Sequence, residues 1–473
     1  MEDSFIPSVN LFTLLRPILR INHIIGTCPC VKDGKAYTIK WYSRPAIHTL
    51  LVLTGLIVYF VSLLVQMYCI VRAEDDRVNK VTKTVAVSSW VYSTFTPIII
   101  ILFKFQKRFK YNGFFERIEE YREPLANIID PINTVQLARR ITSVYIGICI
   151  SVCCIVISVA WNCPRSEGMV MYFYPGKEEP PLHWIIIGCI VQCYLVLAQY
   201  SASAIIEVIC GIMTISMERA VVVLQNNLVK ACEPHMTSLE LEEKPTYENN
   251  MGLPSIDIDA SVNHVLFQRS MKTTSLTIPY QSLSLGFREK NPIGAMVKSI
   301  KSFSCIVGMQ NLISGTFGSQ LALNTALHVF LTCCYFFLLL TNYNPTLASS
   351  DDSSLQKPNY YSYLILWNST CILTRLLTVF MSFGNFHHAS LGFTASLSEQ
   401  FINNQLKDED NSGIFVESEK RAKYIQLIST FLVSQQSNPC CISAGGYFVF
   451  SRSTLVAAFS IIITYVIFLV QVK

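Results

Sequence analysis

Seven stretches of this chain are long and apolar enough to cross a bilayer, and that pattern limits the fold more than any single motif. A helix rises about 1.5 Å per residue and a hydrocarbon core is about 30 Å thick, so about 20 apolar residues span it. The stretches are Ala46–Val71, Thr84–Phe105, Ile141–Trp161, Leu182–Met213, Ser302–Leu340, Tyr361–Phe383 and Gly446–Gln471. Composition agrees. Of 473 residues, 51% are hydrophobic and 15% charged, whereas a soluble domain carries about 25% charged residues. The expected fold class is an all-α membrane protein with seven transmembrane helices. The net charge of +5 is modest. Basic residues are expected beside membrane spans, so this charge calls for no nucleic-acid partner.

Orientation follows from where Lys and Arg fall. The segment before the first span has Arg16, Arg20, Lys32, Lys35, Lys40 and Arg44, and the second loop has eight basic residues between Lys104 and Arg140. The long fourth loop, Arg219 to Lys301, is basic, and the sixth has Lys407, Lys420, Arg421 and Lys423. The first loop offsets its basic residues with Glu74, Asp75 and Asp76. The third has only Arg165 and Lys177, and the fifth only Lys357. The positive-inside rule then places the N-terminus in the cytosol, and seven spans place the C-terminus outside. A G-protein-coupled receptor has the opposite topology. No secretory signal peptide is expected, because Glu2 and Asp3 stand where a basic region belongs and Arg16 and Arg20 interrupt the apolar run.

The chain divides accordingly. Residues 1–45 form a cytosolic N-terminal segment, 46–217 the first four spans, 218–300 a cytosolic loop, and 301–473 the last three spans with a cytosolic anchor and a terminal helix at 446–471. The fourth, fifth and sixth spans are expected to run on as helices beyond the membrane. Within the loop, 233–291 is rich in Ser, Thr, Pro, Asn and Glu without sustained periodicity, the pattern of a mobile insertion. The cysteines are scattered, many inside apolar runs. Cys28 with Cys30, and Cys440 with Cys441, lack zinc-ligand spacing, which favours packing or palmitoylation over a metal site. None of the eight His falls in a protease or nucleophile pattern. No catalytic set, cofactor or metal is expected.

The last span carries a stripe. Ser453, Ala457, Ser460, Thr464, Ile467 and Gln471 alternate in steps of four and three, so they share one helix face that is small and weakly polar. Such a face suits close packing of helices. It equally suits the wall of a water-filled pore.

The closing "TYVIFLVQV" resembles the signature that ends insect gustatory receptors: Thr-Tyr, five hydrophobic residues, Gln, then usually Phe. Thr464, Tyr465 and Gln471 match, and Val472 stands in place of the Phe. Leu14–Gly26, "LLRPILRINHIIG", is similar to the family's opening, and "QNLISGTFG" (Gln310–Gly318) is similar to the Asn and Phe-Gly positions leading into the fifth span. With seven spans, the resemblance covers nearly the whole chain. It implies a homotetrameric or heterotetrameric ligand-gated cation channel in the plasma membrane of sensory dendrites. The last helices would line the pore, Gln471 and Val472 would sit at the outer constriction, and a small tastant would bind among the first six helices. The sugar-receptor branch usually carries Glu after Thr-Tyr. Val466 stands there instead, which leaves a bitter or aversive compound, or a fructose-type sugar.

The outer halves of the spans offer aromatic rings with amides and hydroxyls: Trp90 and Tyr92, Trp161, Gln192, Tyr335, and Tyr363 with Trp367 and Asn368. Together they would suit a small organic ligand, a sugar ring or an alkaloid-like cation. Individually they would suit the interfacial aromatic belt. Asn368-Ser-Thr is a glycosylation sequon inside an expected span, hence expected to be unused. Glu207 and Arg375 are ionisable residues within spans, both read as lying toward the cytosolic side, and are expected to pair.

Overall fold

The computed structural model describes residues 11–33, 36–72, 77–121, 131–162, 182–232, 292–342, 360–409 and 418–472. Among these, ten helices and one short hairpin follow in chain order: α1 Leu11–Ile25, β1 Cys30–Asp33, β2 Ala36–Ile39, α2 Arg44–Arg72, α3 Arg77–Gln106, α4 Arg108–Glu120, α5 Pro131–Asn162, α6 Leu182–Cys232, α7 Pro292–Asn342, α8 Tyr360–Glu409, α9 Ser418–Ser437 and α10 Arg452–Val472. Among the described residues, six helices are long and apolar enough to cross a membrane: α2, α3, α6, α7, α8 and α10. The expected third span, Ile141–Trp161, lies within α5, a helix of 32 residues. The side chains of its 155–162 end fall outside the described residues. The insertion expected at 233–291 also falls outside them.

Helices α6, α7 and α8 have 51, 51 and 50 residues. At about 1.5 Å per residue, each is about 75 Å long, far beyond the bilayer core. The expectation that these spans continue past the membrane agrees with their length. Helix α7 is the centre of the bundle and packs against α3, α6, α8, α9 and α10. The packing is aromatic. Phe303 stacks on Phe393 with centroids 4.6 Å apart, and Phe114 meets Phe317 edge-on at 4.8 Å.

Local chemistry sets the helix ends. Helix α1 stops at Gly26, whose φ of 79° lets Thr27 N–H reach back to Asn22 O at 2.9 Å. Proline opens α5 and α7, where its missing N–H costs nothing. The last helix starts at Arg452, six residues later than the expected Gly446. Gly445 and Gly446 have φ of 63° and 84°, Ser443 pairs with Val449 in an antiparallel bridge, and Ser451 then caps the helix through Thr454. The chain is also not purely helical. The hairpin β1–β2 packs on α4, where Ile39 N–H donates to Asn112 Oδ1 at 2.9 Å and Tyr37 lies 5.7 Å from Phe115.

The hairpin and α1 cover a buried polar knot. Asn22 accepts from Thr27 Oγ1 at 2.8 Å and also from the Ser201 hydroxyl, tying α1 to α6. Lys104 is buried and donates to Thr27 O at 3.0 Å. Cys28 and Cys30 are buried here. The hydrogen bond from Cys30, with His23 and the Lys104 charge nearby, holds the Cys28 thiol well below its usual range. Cys440 is likewise buried, and Cys441 half-buried.

Candidate functional site

A cavity opens between α3, α6, α7 and α8. Its wall is built from helical stripes: Trp90 and Ser93 on α3; Val196, Gln199, Tyr200 and Ser203 on α6; Leu327, His328, Leu331 and Tyr335 on α7; and Trp367, Asn368, Ile372 and Arg375 on α8. The spacing of three and four within each helix aims these side chains into one space. The volume open to the centre of a water-sized sphere is about 60 Å³. One water needs about 10–15 Å³ by that measure, so several waters or one compact ligand fit.

A charged cluster closes the cavity. Arg375 Nε and Nη2 each lie 2.9 Å from Glu207 Oε2, and His328 Nε2 lies 3.5 Å from Glu207 Oε1. The Arg375 guanidinium also stands 5.1 Å from the centroid of the Tyr200 ring. The expected Glu207–Arg375 pair is therefore formed. Arg375 shares the cavity wall with Trp367, two turns earlier on α8. Behind the wall, Gln199 Nε2 donates to Thr94 at 2.8 Å and Asn324 Nδ2 to Ser203 O at 3.0 Å.

Four of the residues singled out from sequence, Trp90, Tyr335, Trp367 and Asn368, line this cavity. Two do not. Tyr92 points outward, 48% exposed, with its ring 4.3 Å from Phe330. Gln192 is buried one to two turns before the α6 stripe begins. The side chains of Trp161 and Tyr363 lie outside the described residues. Gln199, Tyr200, Ser203 and His328 were not anticipated. Their signal is polar side chains at helical spacing within otherwise apolar spans, the same signal that marked Glu207 and Arg375.

The last helix is the second feature. Only 11% of the α10 span is buried, against 78% for α6. Ala458 and Ile462 are buried, and Leu455, Phe459, Val466 and Leu469 pack against the core. On the opposite face Ser453, Ala457, Ser460, Thr464, Ile467 and Gln471 are all exposed, as is Tyr465. The side chain of Val472 lies outside the described residues. Thr464 donates to Ser460 O at 2.8 Å and Ser460 to Val456 O at 3.0 Å. Their hydroxyl protons are thus used within the helix, and only oxygen lone pairs face outward.

Long helices around a partly open cavity, with one apolar helix hung on the outside, define a helical membrane bundle. This arrangement matches a solved one: the insect olfactory receptor OR5 from Machilis hrabei aligns with a TM-score of 0.59, covering 98% of this chain and 99% of that one at 10% identity. The same receptor in complex with eugenol aligns equally well, at 11% identity. No family model matches the sequence, and no curated protein does. The chain is a multi-pass membrane protein with the fold of an insect olfactory receptor.

Proposed function

We propose that the chain is a subunit of a ligand-gated, non-selective cation channel that serves taste, with seven spans, a cytosolic N-terminus and an extracellular C-terminus. Four subunits, identical or mixed with other gustatory receptors, surround a central pore lined by α10. A small tastant occupies the cavity between α3, α6, α7 and α8. The observation that carries this reading is the exposure of the whole weakly polar stripe on α10, on the face turned away from the subunit's own core. A face of outward lone pairs and one amide suits passing cations better than anions. The OR5–eugenol likeness supports a small organic ligand for a fold of this kind.

A second reading keeps the fold without conduction: a non-conducting chemoreceptor subunit or modulator of a heteromeric receptor. It draws on the intrahelical bonds of Ser460 and Thr464, which let the stripe pack without water. Purified chain in planar bilayers, under a potassium gradient and with a panel of small organic compounds, separates the two. Compound-evoked currents that reverse at the cation potential are expected. Current only after co-reconstitution with a second receptor subunit favours the modulator. Silence in both settings removes the channel reading.

A further inference from the structure

We infer that the Arg44 end of α2, with the turn before it and the α3–α4 junction, holds an anionic phospholipid of the cytosolic leaflet. Its phosphate lies on Arg44 and Arg108, and its acyl chains lie along α2. The choice of leaflet rests on the sidedness proposed above.

The first observation is what α2 turns toward the hydrocarbon. Only 28% of its span is buried. Ile47, Leu51, Val58, Val61 and Val65 are exposed and recur at helical spacing, so they form one apolar stripe along the helix. Arg44 is exposed one turn before Ile47, at the head of that stripe. The apolar span of α2 begins at Arg44 and that of α3 ends at Gln106, and the stacking of Trp41 on Phe105 at 4.9 Å brings these two ends together.

Rings and guanidiniums are gathered at that level. Ser43 N–H and Oγ both donate to Lys40 O, at 3.2 and 2.8 Å, which folds residues 40–43 into a tight turn. The turn presents Tyr42, 97% exposed, and the α3–α4 junction presents Phe109, 74% exposed. The Arg108 guanidinium stands 5.7 Å from the centroid of the Trp41 ring and 4.7 Å from that of Phe109. Such contacts hold a guanidinium in place without consuming its N–H donors. Among the described residues, neither Arg44 nor Arg108 is paired with a carboxylate. Both are therefore available to a phosphate, which arginine binds through paired N–H groups. A soluble anion would use these charges but not the apolar stripe beside them, nor the exposed rings of Tyr42 and Phe109, which suit the boundary between headgroups and acyl chains. A zwitterionic lipid has no net charge to be attracted, whereas an anionic one gains about fivefold in affinity for each basic residue near the surface.

The experiment places the purified full-length chain in phosphatidylcholine nanodiscs with a rising fraction of lipid brominated on its acyl chains, either phosphatidylserine or phosphatidylcholine. Bromine quenches a nearby indole, and the part of the quenching lost in Trp41→Phe reports lipid at this site. Both leaflets carry the same mixture, so the result is independent of which way the chain is inserted, and an inverted topology would leave the site in place. Brominated phosphatidylserine is expected to quench Trp41 at a lower fraction than brominated phosphatidylcholine. Arg44→Gln and Arg108→Gln should each reduce that preference about fivefold. Arg72→Gln, at the other end of α2 where the guanidinium lies 5.1 Å from the Tyr68 ring, should leave it unchanged. Equal quenching by the two lipids overturns the inference. So does a preference that survives both inner substitutions together, or one that falls as much in Arg72→Gln, since either makes the attraction a property of overall charge. Loss of the preference on adding water-soluble glycerophosphoserine overturns the assignment to a lipid and leaves a site for a soluble anion.

Discussion

Glu207 presents one carboxylate oxygen to both Nε and Nη2 of Arg375, and the two side chains are 7% and 12% exposed. Removing one partner strands the other in a medium that cannot solvate it. Glu207→Gln is expected to lower stability by about 3–5 kcal/mol, read as a fall in the thermal midpoint of the detergent-solubilised protein. Replacing both residues with apolar ones should recover most of the loss, and a double variant as unstable as the single would contradict the account. At the far end of the chain, Gln471 is exposed on the α10 stripe. In a ring of subunits, its amides would meet about one axis. Gln471→Ala should raise basal leak or alter cation selectivity, and Gln471→Glu should add divalent block, both at normal surface levels. Whole-cell current with ion substitution, paired with surface labelling, decides. Unchanged currents in both variants would return the stripe to helix packing. At this scale the ion pair was legible, since charges inside apolar spans have few other fates. The cavity wall was legible only in part. Helix α6 is apolar nearly all round, so its sequence does not say which side faces Trp367 and which faces other helices.

Among the elements, the segment Gln310–Gly318 shows why a local pattern can matter. Positions 310, 314 and 318 share a face of α7, and that face seats the loop before the last helix. Gln310 Nε2 donates to Cys441 O at 2.5 Å, and Ser314 Oγ accepts from Ser443 N–H at 3.2 Å. A Cβ on Gly318 would lie 2.6 Å from Gly445 N and 2.9 Å from Ser443 O, both backbone atoms. Gly318→Ala must therefore shift the loop, at a cost of about 1–3 kcal/mol. Gly315, one turn away, has nothing within 4 Å of such an atom, so Gly315→Ala should instead stabilise by up to about 1 kcal/mol. Thermal midpoints of the two variants check this contrast, and equal destabilisation would refute the seat. Helix positions were legible because apolar runs of this length have one stable form in lipid. The start of α10 was not, because Tyr447, Phe448, Val449 and Phe450 extend the apolar run backward while glycine geometry ends the helix. The small hairpin was not legible either, because its strands of four residues are too short to stand out.

For the molecule as a whole, the alternation of basic and poorly basic loops predicts sidedness. A tag at residue 1 should be protected in intact cells and one after Lys473 accessible to antibody. An accessible N-terminal tag would invert the topology and, with it, the assignment of outer and inner ends. The length of the central helices has a mechanical meaning. Helices of about 75 Å with no proline inside them can carry a tilt along their length. From Glu207 to the end of α6 at Cys232 is 25 residues, or about 37 Å of lever arm. A tilt of about 3° about the Glu207–Arg375 brace would sweep that end through about 2 Å. Small shape changes beside the brace are thus magnified by leverage alone, and the amplitude at the far end scales with helix length rather than with the number of side chains that rearrange.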